Sequence, residues 1–310
     1  MLSRIAESLY WIGRYVERAE DTARLLDVHY HLLLEDRRAD EAAVCRALLE
    51  AMGVSTSELA HEPDADMVTE LLARDLSFSG SIACSVGASW ENARGAREAI
   101  SSELFQTLNT MRREVGRRAR AEAGAARHDF FLWVRDRAAA CWGIVDATMS
   151  RDDGWRFLVL GQSLERADMT ARLLSARYGD AFGQTGWTTT LRTCAAHEAF
   201  LRTYHHSVNA SSAVEFLLLD RLFPRSVYHA LTTAEHRLGE LAPISARTGV
   251  DDESSRLLGR ARAELEFLRI EDVIDELPSL LRKLQHDCAE VHAAVARRYF
   301  RETRVVEWSV

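Results

Sequence analysis

Gly13-Arg14-Tyr15-Val16-Glu17-Arg18-Ala19-Glu20-Asp21-Thr22-Ala23-Arg24-Leu25-Leu26 is the stretch whose reading decides the fold. Leu9, Ile12, Val16, Ala19, Ala23 and Leu26 fall three or four positions apart, which predicts one apolar stripe on an amphipathic helix running to about Glu35. The same pattern returns as Gly161-Gln162-Ser163-Leu164-Glu165-Arg166-Ala167-Asp168-Met169-Thr170-Ala171-Arg172-Leu173-Leu174, with nine of fourteen residues identical at a constant offset. A weaker match, in the same order, pairs Leu72, Asp75, Phe78 and Ser81 with Leu217, Asp220, Phe223 and Ser226. Two matches in one order predict a duplication: a single domain over 1–310 with internal repeats of about 1–148 and 149–310, packed around a pseudo-two-fold axis.

Outward from these stretches the helical period continues. It predicts helices at roughly 40–52, 66–76, 79–99, 101–126, 129–149, 155–178, 188–206, 211–221, 225–241, 253–268 and 271–300, and no convincing strand. Pro63, Pro224, Pro243 and Pro278 stand at or near the breaks, where a residue without an amide hydrogen cannot continue a helix. A hydrophobic fraction of 47% is enough for a real core, and 28% charged residues with only 4 prolines suit long helices joined by short turns. The expected fold is all-α, a large multi-helix bundle made of two duplicated halves.

A net charge of −8 argues against a nucleic-acid-binding surface. The densest basic cluster, Arg112, Arg113, Arg117, Arg118 and Arg120, has Glu114 and Glu122 beside it and reads as a solvated helix face. The five cysteines are scattered without a C-x-x-C pair and read as small buried apolar residues. Glu7 interrupts what a signal peptide would need as an apolar run, and no segment approaches a membrane span, so a cytoplasmic location is expected.

The charges of the repeated stretch are its candidate functional groups. On a helical wheel Arg14, Glu17, Arg18, Asp21 and Arg24 lie opposite the apolar stripe, and the plain reading is a solvated face with Arg14–Glu17, Arg18–Asp21 and Glu20–Arg24 pairs. The second copy does not fit that reading. Gln162 and Met169 replace two of the partners, yet Glu165 and Arg166 are kept, so these two should meet something outside their own helix. One possibility is a buried network across the pseudo-axis, Glu17 with Arg166 and Arg18 with Glu165. The other is a ligand site in which Arg18, Arg24, Arg166 and Arg172 grip a carboxylate or phosphate while Glu17 and Glu165 take an amine or orient the arginines. Asn92 and Arg94, explained mostly by surface pairing, and Arg225, in the first turn of a helix, are secondary candidates.

Familiar catalytic spacings are missing. Glu58-Leu-Ala-His61 is a single Glu-x-x-His where a di-metal bundle needs two, His205 and His206 diverge on a helix, and Asp152-Asp153 and Asp251-Asp252 lack the third aspartate of a diphosphate motif. No nucleotide-binding or serine-hydrolase motif occurs. No metal ligand set and no cofactor are expected.

The opening, Met1-Leu-Ser-Arg-Ile-Ala-Glu-Ser-Leu-Tyr10-Trp11-Ile-Gly13-Arg14-Tyr15-Val-Glu17-Arg18, is similar to the start of the bacterial alpha-E domain family, named for helices with a Glu-Arg motif. The resemblance continues through Glu91-Asn92-Ala93-Arg94, Trp142 to Met149, Asp153-Gly-Trp155, Glu165-Arg166-Ala-Asp168 and Phe223-Pro224-Arg225-Ser226-Val227, nearly the whole chain. Phe78-Ser79 stand where the family pattern has Asn-Pro. The resemblance implies partners: a circularly permuted ATP-grasp ligase and a transglutaminase-like protein, encoded beside such chains or fused to them. The expected function is a non-catalytic accessory or substrate-binding subunit of a peptide or amide-bond modification system, taking an amino-acid or peptide-like ligand. The rival expectations are a helical enzyme of the same system with Glu17 and Glu165 as acid and base, and a purely structural scaffold.

Overall fold

The computed structural model describes residues 3–35, 40–57, 59, 61–120, 125–178, 185–241, 249–250 and 252–300. Glu58, Asp251 and the 301–310 stretch lie outside the described residues. Among those described the chain is all-helical, without a strand: α1 (Ser3–Glu35), α2 (Glu41–Ala51), α3 (Ala65–Thr69), α4 (Ile82–Gly95), α5 (Ser102–Ala119), α6 (Ala125–Thr148), α7 (Asp153–Tyr178), α8 (Thr185–Thr193), α9 (His197–Tyr204), α10 (Ala210–Leu219), α11 (Val227–Leu241), α12 (Glu253–Glu266), α13 (Ile270–Val273) and α14 (Leu277–Tyr299). A π turn at Glu70–Arg74 extends α3.

Polar side chains set several boundaries. Ser81, Ser101, Asn209 and Asp252 each accept a backbone N–H from the first turn of the helix that follows, satisfying a donor that has no partner within the helix. The single helix expected over 188–206 is instead two, α8 and α9. Ala195 between them adopts φ 53°, a left-handed conformation that ends a helix and that an alanine in sequence does not announce.

Two long helices organise the rest. α1 packs on α4 and α6, α4 on α5 and α5 on α6; α7 packs on α11 and α14, α11 on α12 and α12 on α14. The two groups meet where α1 crosses α7, and short helices cross over: α2, which follows α1, lies on α7, while α8, which follows α7, lies on α1.

Glycine permits the crossing. A Cβ on Gly13 would sit 2.1 Å from the Leu158 carbonyl oxygen, and one on Gly161 would sit 2.1 Å from that of Tyr10. These contacts are reciprocal, because both Gly13 to Gly161 and Tyr10 to Leu158 span 148 positions. The backbones touch here with no side chain between them. Tyr10, Leu9, Ile12, Leu158 and Leu164 fill the core around the crossing, each with at most 1% of its surface exposed.

Candidate functional site: charge clusters at the helix crossing

Being nearly surrounded, α1 buries its polar face as well as its apolar one. Glu17 has no exposed surface, and Arg14, Glu20, Asp21 and Asp27 are also buried. The solvated-face reading of these residues is therefore corrected: a wheel finds the apolar stripe but cannot tell that α7 and Arg225, in the loop before α11, cover the opposite side. Of the three local pairs expected on α1, only Glu20–Arg24 forms, at 2.8 Å. Arg14 and Arg18 turn instead to the second long helix.

Each glutamate of the repeated motif is gripped by arginine from the other helix. Glu165 accepts from Arg14 Nε at 2.6 Å and from Arg18 through two parallel bonds, Nε at 2.5 Å and Nη2 at 3.0 Å. Glu17 accepts from Arg166 Nε at 2.7 Å and from Gln162 Nε2 at 3.0 Å, and pairs with Arg225 Nη2 at 2.8 Å. The contacts are reciprocal again: Gln162 is the counterpart of Arg14, and Arg166 of Arg18. Thr22 donates to the Gly80 carbonyl at 3.2 Å, and its counterpart Thr170 to the Arg225 carbonyl at 2.9 Å. Ser81 and Ser226 cap α4 and α11 alike, accepting from Cys84 N–H at 3.0 Å and His229 N–H at 3.1 Å.

The ends of the crossing differ at Arg14 against Gln162, at Asp21 against Met169, and most visibly at Gly80 against Arg225. In the loop before α11, Arg225 runs back to Glu17, to Glu20 at 2.7 Å and to Asp21, so that three carboxylates surround its guanidinium. In the corresponding loop before α4, Gly80 occupies that place. Beside it lies a cavity of about 170 Å³ lined by Arg18, Ser79, Gly80, Glu165, Asp168 and Arg172, among others. Asp168 binds Arg172 Nε at 2.9 Å, repeating Glu20–Arg24. Arg172 is the more open of the pair, 35% exposed in its side chain against 14% for Asp168.

Burial and neighbours set the protonation of these carboxyls. For Glu165 burial favours the neutral acid, but Arg14 and Arg18 outweigh it and hold the pKa down at about 2. Glu17 is lowered in the same way, by Arg166 and Arg225 against burial. Both glutamates are thus held ionised, and the pair lacks the protonated member that acid–base chemistry requires. Asp21 goes the other way. Burial raises it to about 7 in spite of Arg225, with Glu17 and Glu20 adding to the rise. Its Oδ2 meets no donor among the described residues. Asp168 is raised by burial against the pull of Arg172.

All eight primary candidates, Arg14, Glu17, Arg18, Asp21, Arg24, Glu165, Arg166 and Arg172, lie at the crossing, and so does Arg225. Asn92 and Arg94 do not join them: Asn92 Nδ2 donates to the Ala88 carbonyl at 2.9 Å, and Arg94 pairs at the surface with Glu91 at 3.0 Å. His205 and His206 are exposed. The sequence reading missed Tyr10 and His292, which join Arg14 in a chain: Arg14 Nη1 to the Tyr10 hydroxyl at 3.3 Å, and that hydroxyl to His292 Nδ1 at 2.9 Å. It also missed Asp27, His31 and His128, whose side chains converge beyond the far end of the network. Their donor atoms all lie within 4.8 Å of one another, a grouping the absence of familiar ligand spacings in the sequence did not lead one to expect. Only Asp27 and His31 share a helical spacing, and His128 comes from a distant helix.

A family model described as "a predicted alpha-helical domain with a conserved ER motif" matches residues 1–300. The chain is 26% identical to an uncharacterised protein of Mycobacterium bovis and to an uncharacterised protein of Mycobacterium tuberculosis, over 94% of its own length and 35% of theirs. It spans about a third of the length of the curated relatives it matches. No solved structure matches the chain. Among the described residues no helix is long and apolar enough to cross a membrane.

Proposed function

The chain belongs to the alpha-E family, and from that premise we propose that it is a non-catalytic accessory subunit of a cytoplasmic ATP-grasp amide-ligation system, holding an amino-acid or peptide-like ligand beside Gly80. The observation that carries this reading is the unequal pair of ends at the crossing. One is closed by Arg225, with Arg24, Arg166 and Arg225 facing the three carboxyl groups of Glu17, Glu20 and Asp21. The other has Arg14, Arg18 and Arg172 with Glu165 and Asp168, and a cavity beside Gly80, the counterpart of Arg225.

An excess of one positive charge beside a cavity favours a carboxylate, which an arginine fork takes in two parallel hydrogen bonds. Asp168 on the same wall suits an ammonium group, so the lining matches an α-amino acid or a peptide terminus. At about 170 Å³ the cavity is smaller than the ~300 Å³ at which drug-sized pockets begin, which limits the ligand to one residue or the end of a chain. Glu17 and Glu165 act here as the frame that holds the arginines. The ATP-grasp and transglutaminase-like partners come from the family resemblance, and the greater length of the mycobacterial relatives leaves room for a fused partner. The reciprocal contacts of α1 and α7 are those a duplicated helical unit would make.

Calorimetric titration with single amino acids and short acidic peptides tests the ligand, using wild type, Arg172→Ala and Asp168→Asn, which leave the Glu165 network in place. Binding to wild type that is lost in both variants, at unchanged thermal midpoints, is expected. Absence of binding across the panel, or equal binding by all three proteins, would sink the ligand site. Turnover by the isolated chain would overturn the non-catalytic role.

A further inference from the structure

We propose that Asp27, His31 and His128 form a binding site for a divalent first-row transition metal ion, bridging α1 and α6 away from the cavity beside Gly80. The three donor atoms face one another. His128 Nδ1 lies 2.5 Å from Asp27 Oδ1 and 3.1 Å from His31 Nε2, and His31 Nε2 lies 3.7 Å from Asp27 Oδ1. Around a tetrahedral ion with bonds of ~2.0–2.1 Å, neighbouring ligand atoms stand about 3.3 Å apart, so the observed spacings bracket that value and the short edge must open by less than 1 Å.

Proton bookkeeping at the cluster supports a cation. His128 Nδ1 carries at most one hydrogen yet faces a carboxylate oxygen and an imidazole nitrogen together. If that hydrogen is present it must be shared between both. If it is absent, a lone pair meets the carboxylate at 2.5 Å. A metal ion accepts from all three atoms at once and removes the conflict.

The surroundings have the layout of an outer ligand shell. Arg135 Nη1 donates to Asp27 Oδ2 at 2.9 Å, fixing the carboxylate and leaving Oδ1 for a single bond to the ion. Asp27 is buried, whereas the His31 and His128 side chains are 44% and 31% exposed, so the ion would be rooted in the protein on one side and would keep a solvent-facing position on the other. Two imidazoles and one carboxylate suit zinc and its first-row neighbours better than calcium or magnesium, which prefer all-oxygen shells. Arg24 and Arg135 put positive charge nearby, and Glu20 offsets part of it.

The test uses the whole chain, stripped with chelator and titrated calorimetrically with zinc chloride. The expected result is one zinc per chain and a raised thermal midpoint. His31→Ala, a change at a half-exposed ring, and His128→Ala should each weaken affinity by more than tenfold while the chain stays folded. Arg135→Gln should weaken it by about tenfold with the stoichiometry kept. Cobalt(II) added in place of zinc should give visible bands without the near-ultraviolet charge transfer of thiolate ligands. Failure of wild type to bind zinc, unchanged affinity in both histidine variants, or thiolate bands with cobalt would each overturn the proposal.

Discussion

Replacing Gly161 by alanine tests the crossing of α1 and α7 more directly than any change to the charges. The added methyl would lie 2.1 Å from the Tyr10 carbonyl oxygen, whereas ordinary contact begins near 3.4 Å. Because the obstacle is backbone in the middle of a long helix, no rotamer change relieves it, and the two helices must part by roughly 1 Å locally. The bonds from Arg14 and Arg18 to Glu165 and from Arg166 to Glu17 are 2.5–3.0 Å long, and stretching them by that amount takes them to ~3.5 Å or beyond, where a hydrogen bond is barely made or lost. Overpacking alone costs about 1–3 kcal/mol. With the ionic contacts strained as well, the loss should reach about 4 kcal/mol, a large share of the ~5–15 kcal/mol that keeps a domain folded. At roughly 2 °C per kcal/mol for a chain of this size, the midpoint followed by circular dichroism should fall by about 8 °C. Gly13→Ala should behave alike, since its methyl would meet the Leu158 carbonyl at the same distance. The double variant should lose less than the sum, because helices already parted admit the second methyl. Gly143→Ala is the control: that glycine is exposed in α6 with nothing within 4 Å of a new methyl, and alanine there should stabilise by about 0.5–1 kcal/mol. A Gly161→Ala midpoint within a degree of wild type would refute the account of the crossing.

Glu165→Gln should cost about 3–5 kcal/mol in chemical denaturation, because Arg14 and Arg18 lose their buried counter-charge; a loss below 1 kcal/mol would show that water or another anion compensates them. In wild type, the stability that ionised Glu165 contributes is present above the ordinary carboxylate pKa near 4.5 and should disappear as pH falls toward about 2, so acid unfolding should begin at higher pH in a Glu17→Asp, Glu165→Asp double variant with a weakened network. Asp21 has the opposite sign: its folded pKa of about 7 lies above the unfolded value of 3.8, so its contribution is present below pH 4 and is lost as pH rises through about 7. Asp21→Asn should therefore flatten the decline in stability between pH 4 and 8, and an unchanged slope would contradict that assignment. Ser81→Ala and Ser226→Ala should each destabilise by ~1 kcal/mol through the lost caps of α4 and α11; an effect at only one would show that the capped loops are not equivalent.

The helical period of residues 9–26 made the all-α class legible, and the retention of Glu165 and Arg166 after their local partners had changed pointed to contacts outside their helix. The structure makes those contacts, Glu17 with Arg166 and Arg18 with Glu165. What could not be read is burial. Nothing in a stretch spelling Arg-x-x-Glu-Arg-x-x-Asp says that a neighbouring backbone will close over it; the one hint was Gly13, a residue with poor helix propensity placed in mid-helix, and its reason is a contact with Leu158 distant in sequence. The exchange of Gly80 for Arg225 was equally hidden, since Phe78 and Ser81 align with Phe223 and Ser226 while the informative position lies between them. Asp27 and His31 share one face of α1, but the third donor, His128, belongs to a helix whose approach is tertiary information.

The place of α1 at the centre also governs when the molecule can finish folding. Leaving the ribosome ahead of α7, α1 carries Glu17, Asp21 and Asp27 on one side and an apolar stripe on the other, and several of its partners arrive late: Glu165 after 151 further residues from Arg14, and His292 after 282 from Tyr10. α4 and α6 can cover one side of the helix as soon as they emerge, but until those late partners arrive the charged side has no permanent cover. Contacts this distant in sequence slow the search for the native state and prolong exposure of apolar surface. Refolding from denaturant should therefore be slow for an all-helical chain, and chaperone dependence during synthesis should be relieved once residues beyond 292 have emerged.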